Sequence, residues 1–127
     1  MQINITEIFC VNSSAPIADN FFMLIQADGL PPTRYPPIGT KLGRAGHSVQ
    51  LPSTTSSPPS PTNGLVVPFD YGVVMTAFDR DYKVLTSVLN DNDFLFSFSV
   101  NAESNGNTFT STNHNGASYK ITYNITD

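Results

Sequence analysis

The chain has 127 residues, 39% of them hydrophobic and only 13% charged, with ten acidic and six basic side chains and a formal net charge of −4. That length suits a single domain over residues 1–127 with enough apolar content for a core, and the low charge excludes both an acidic disordered tail and a charge-laced helical protein. Six scattered cations cannot neutralise a phosphate backbone, so nucleic acid is not an expected partner.

At the N-terminus, "MQINITEIF" has neither a basic region nor a long apolar stretch, so no signal peptide is expected. No run approaches the roughly 20 apolar residues that a membrane span requires. The expectation is a cytoplasmic protein, or one exported without a classical signal peptide. Ile3 and Ile5 begin an alternation that blurs near Ile8 and Phe9, as a β-bulge would cause. Cys10 is the only cysteine, which excludes an internal disulfide and a thiolate metal site; in "EIFCV" it reads as a small core residue. Glycosylation-type triplets at Asn4, Asn12 and Asn124 follow from an Asn- and Thr-rich composition.

Further along, "NFFMLIQA" and "GVVMTAF" are apolar on both faces, as central strands of two stacked layers would be. Between them, "GLPPTRYPPIG" and "PSTTSSPPSPTNG" read as loops, the second a flexible polar one at about residues 52–64. "GHSVQL" and "NGLVVPF" are weaker strand candidates, and Pro68 pushes the latter to an edge. "DYKVLTSVLND" carries Val84, Leu85, Val88 and Leu89 at helical spacing and predicts a short helical turn. In "DFLFSFSV" alternation puts Phe94, Phe96, Phe98 and Val100 on one face, against Leu95, Ser97 and Ser99. In "SYKITYNI" Tyr119, Ile121, Tyr123 and Ile125 face one way. About eight short strands with turn-rich connections predict an all-β chain, an antiparallel eight-stranded β-sandwich.

The carboxylates are concentrated around one loop. Asp79 and Asp81 end one predicted strand; Asp91, Asn92 and Asp93 open the next. Converging carboxylates repel one another, and a hard cation reverses that: calcium takes six to eight oxygens from carboxylates, amides, carbonyls and water. The run "VMTAFDRD…NDNDFLFSFSV" resembles the third calcium loop of C2 domains, and "ADNFFMLIQADG" resembles the exit of their first loop. The resemblance spans roughly residues 19–100. It implies a C2-like sandwich with calcium held by Asp19, Asp79, Asp81, Asp91, Asn92 and Asp93. A "DG…YP" step at Asp28, Gly29, Tyr35 and Pro36 is similar to one in small bacterial proteins of this type. The sequence departs from the pattern in three places. An earlier first-loop aspartate is missing, with Asn12 the nearest donor; the Asp81–Asp91 interval is long; and Phe96 stands where a glycine is common.

No enzyme signature emerges. His47 and His114 have no partner at metal-ligand spacing, and "GTKLGRAG" has its glycines at the wrong intervals for a phosphate cradle. The sequence therefore points to a non-enzymatic calcium-binding module whose ordered loop meets a protein, glycan or membrane surface. One alternative is a lectin-like protein, since "NAESNGNTFTSTNHNG" is rich in amides and hydroxyls and Phe109, Tyr119 and Tyr123 could form a stacking platform. The other is a self-assembling subunit, a homo-oligomer or filament joined through strand edges. Asn-Gly turns and solvated loop histidines explain the same residues without either.

Overall fold

The computed structural model describes residues 1–54, 62–80, 93–104, 108–111 and 116–127. Twelve strands and no helix occur among them. They are β1 (Gln2–Asn12), β2 (Asp19–Ala27), β3 (Thr33–Tyr35), β4 (Lys41–Gly43), β5 (His47–Ser48), β6 (Ser53–Thr54), β7 (Thr62–Asn63), β8 (Leu65–Pro68), β9 (Gly72–Asp79), β10 (Asp93–Asn101), β11 (Thr108–Thr110) and β12 (Ser118–Thr126). Two antiparallel five-stranded sheets account for all but β6 and β7, which pair as a separate ribbon. The first runs β11-β12-β1, with β5 and β8 sharing the far edge of β1. The second runs β10-β9-β2, with β3 and β4 sharing the far edge of β2. The all-β expectation holds, and the two sheets are consistent with a β-sandwich. Twelve strands stand among the described residues where eight were expected: each sheet has one edge divided into two pieces of two to four residues, and the β6–β7 ribbon adds two more. Prolines account for much of that division, since they remove the N–H groups a longer ladder would need.

The core lies between the sheets and follows the period of two. Ile3 and Ile5 on β1 point inward, as do Ile8 and Cys10. The change of parity is made by a bulge: Ile5 pairs with Tyr123 and Glu7 with Thr122, which leaves Thr6 as the extra residue. Phe21, Met23 and Ile25 of β2 and Val73, Met75 and Ala77 of the neighbouring β9 face inward from the second sheet, and Tyr119, Ile121 and Tyr123 of β12 meet them from the first. A second bulge corrects the reading of β10. Between Phe94 and Phe96 the register against β9 slips, so Leu95 is fully buried with Phe96, Phe98 and Val100, while Phe94 turns to the outer face. There it stands edge-on to Phe78, which stacks on Phe22. Simple alternation cannot anticipate an inserted residue, and one is enough to reverse every side chain before it.

"GLPPTRYPPIG" is not wholly loop. Thr33, Arg34 and Tyr35 pair with Ile25, Leu24 and Met23, and the Tyr35–Pro36 peptide is cis. "GHSVQL" yields only the two residues of β5, and "NGLVVPF" forms β8 at an edge as Pro68 implied. The helical turn expected at "DYKVLTSVLND" lies outside the described residues, as does most of the polar loop at 52–64.

Candidate functional site

Asp19 opens β2 in phase with Phe21, Met23 and Ile25, so alternation directs its carboxylate into the core. Its side chain is 0% exposed. A buried carboxylate needs donors for both oxygens, and this one has them. Oδ1 accepts from the Ser14 hydroxyl at 2.6 Å, the Ser14 N–H at 2.9 Å and the Ala15 N–H at 3.0 Å. Oδ2 accepts from the Tyr119 hydroxyl at 2.7 Å and from the Ser14 N–H at 3.1 Å. Burial, reinforced by the Asp19 charge, pushes the Tyr119 hydroxyl far above its ordinary value, so it remains a donor. Opposite Asp19 on β4 stands Gly43, where any side chain would collide with the Tyr119 oxygen. Asp19 is thus a structural acceptor that closes the Ser14–Ala15 turn and links the two sheets.

Asp79 ends β9 in phase with Val73, Met75 and Ala77 and is 9% exposed. Oδ1 accepts a 2.6 Å bond from the Asn20 N–H. Oδ2 lies 3.4 Å from the Ser14 hydroxyl, but that group has one proton, and the 2.6 Å contact to Asp19 takes it. Burial raises the Asp79 carboxyl above its usual range; the Asn20 bond opposes this, and the charges of Asp19 and Asp93 add to it. Asp93 sits directly across the ladder from Asp79 and is exposed. Asp19, Asp79 and Asp93 are therefore brought to one end of the sandwich. Asp81, Asp91 and Asn92 lie outside the described residues. Among the described residues, no group of three or more His, Cys, Asp or Glu side chains is placed to hold a metal ion.

Other sequence candidates have plain structural roles. Tyr119 and Tyr123 are buried and Phe109 packs against the core, so the rings suggested as a sugar platform face Phe96 and Phe98. His47 is exposed on β5, and His114 lies outside the described residues. Burial raises the Cys10 thiol above its ordinary value, in keeping with an inert core residue. Asp28, at φ 56°, accepts three backbone N–H bonds from Asp70, Tyr71 and Gly72 at 2.9, 2.6 and 3.0 Å. Those bonds hold its carboxyl below the usual range.

The sequence reading missed a groove of about 750 Å³ on the divided-edge side of the sandwich. One wall comes from Ile25, Tyr35 and Lys41 of the second sheet, the other from Leu51, Leu65 and Val67. The Tyr35 hydroxyl donates a 2.5 Å bond to the Gln50 carbonyl and ties the two walls together. Prolines 31, 36, 37, 52 and 68 form much of the rim. The signal was present in the first Pro-rich segment and in Pro52 and Pro68, which a search for alternation passes over. No helix among the described residues is long and apolar enough to cross a membrane. Comparison with known proteins brings no match to a family model, a curated protein or a solved structure.

Proposed function

We propose that the chain is a non-enzymatic binding module, a β-sandwich of C2-like type, whose binding element is the proline-rimmed groove and whose occupant is a small, mostly apolar molecule. The groove itself carries this reading: its volume of about 750 Å³ lies within the range of roughly 300–1,000 Å³ typical of small-molecule sites, and its lining is apolar with a few polar groups. The prolines favour a small molecule over an extended peptide. A rim that lacks N–H donors cannot extend a β-ladder to an incoming strand. Support for the C2-like type comes from the quoted residues around Asp79 and Asp93.

The native chain contains no tryptophan, so Thr33→Trp would place a single reporter at the groove. Its emission should shift on titration with decanol, while a control tryptophan at Thr122, on the outer face of the other sheet, should stay silent. Equal responses from both positions would remove the groove reading.

A second reading is favoured by the opposition of Asp79 and Asp93. Asp79 Oδ2, held by only a long 3.4 Å contact with the Ser14 hydroxyl, beside a second carboxylate suits a calcium ion, with Asp81, Asp91 and Asn92 as further ligands and Asp19 as the buried support. Calorimetric titration with calcium tests it, and an unchanged melting temperature at millimolar calcium would leave the rim as strand-end chemistry.

A further inference from the structure

The groove gathers positive charge. Arg34 and Lys41, two of the six basic residues of the chain, contribute to its lining, and none of the eight acidic residues among the described residues does. In a protein of net charge −4 this is the reverse of the overall balance. Lys41 is half-buried and pairs with Phe21 across the β4–β2 ladder, so its stem runs on the inward side of an edge strand. Arg34 pairs with Leu24 and turns to the outer face of the sheet, its guanidinium 4.5 Å from the centre of the Phe22 ring and donating a 2.6 Å bond to the Pro36 carbonyl. That leaves Lys41 as the cation turned toward the groove.

We infer that the groove takes an aliphatic amphiphile with a single carboxylate. The chain lies along Leu51, Leu65 and Val67, and the headgroup meets the Lys41 ammonium. This rests on the groove reading and narrows it. A neutral apolar ligand would gain from the walls alone; an anion gains in addition from the Lys41 cation at a low-dielectric boundary, where charge-assisted bonds are strong. An inward lysine on an edge strand also discourages strand-to-strand aggregation, and that role predicts no ligand preference at all.

The test is calorimetric titration of the wild-type chain with decanoate and with decanol, repeated on Lys41→Gln. Circular dichroism and melting confirm that the variant folds. Decanoate is expected to bind at least about tenfold more tightly than decanol, a preference that weakens with added salt and is lost in Lys41→Gln. Shortening to octanoate should weaken binding about fourfold per methylene. Equal affinities for decanoate and decanol, or a preference untouched by Lys41→Gln, would overturn the carboxylate assignment and leave the groove reading intact. Binding of neither would remove both. Vesicles containing an anionic phospholipid, run in parallel, separate the sources: capture by vesicles without affinity for free decanoate would mean a membrane surface, and the assignment would fall.

Discussion

Tyr119 donates a 2.7 Å hydrogen bond to Asp19 across the interior of the sandwich, joining β12 of one sheet to β2 of the other over 100 positions of sequence. Both side chains are fully buried. Hydrogen bonds to a charged group contribute about 1.5–3 kcal/mol, and breaking one inside leaves the partner short of a donor. Tyr119→Phe should lower the unfolding free energy by that amount in urea titration. A loss under about 0.5 kcal/mol would mean that the Ser14 and Ala15 donors suffice.

Gly43 is the neighbour that makes this bond possible. Gly43→Ala should cost about 1–3 kcal/mol, since the new methyl meets the Tyr119 oxygen in a packed interior. The same substitution in a Tyr119→Phe background should cost less, because the oxygen it strikes is gone. Strictly additive losses would show that the collision is relieved elsewhere.

Asp79 should make stability depend on pH. Its folded value is raised above the ordinary 3.8, so the folded chain holds this proton more tightly than the unfolded chain. The resulting stability is full below 3.8 and is lost as pH rises through the folded value. Asp79→Asn removes that loss. In chelator-containing buffer the variant should melt above wild type at neutral pH, with the difference closing under acid conditions. Adding calcium should raise wild type alone if the calcium reading holds. A variant less stable at neutral pH would contradict the sign.

Asp28 should behave in the opposite sense. Three N–H donors lower its folded value, so its contribution is present above the ordinary 3.8 and fades as pH falls through the folded value. Asp28→Ala should therefore be destabilising at neutral pH and less so in acid. A gap of constant size across the range would assign the effect to the backbone at φ 56° instead of the charge.

Much of the layering was legible in the residues. Alternation located β12, β9 and most of β1, β2 and β10, because a half-buried strand must repeat its apolar side chains every second position. It also contained an unused clue. Asp19 and Asp79 stand in phase with the core residues of their strands, which marks them as inward-facing before any thought of a metal. What alternation could not supply was the inserted residues. The bulge at Thr6 was visible only as a blur, and that between Phe94 and Phe96 was invisible, since both Phe94 and Leu95 are apolar.

The sequence alone determined that the chain would stack sheets, because its apolar spacing permits little else, and that Cys10 would lie within them. It also determined which segments could not be central strands, since proline has no N–H to give. Only the tertiary structure decided which residues of separate segments meet. Ser14 and Asp19, Gly43 and Tyr119 converge from three separate segments, and the walls of the groove come from both sheets. Such groupings are properties of strand pairing and sheet stacking, and a period of two locates strands without saying which strands will meet.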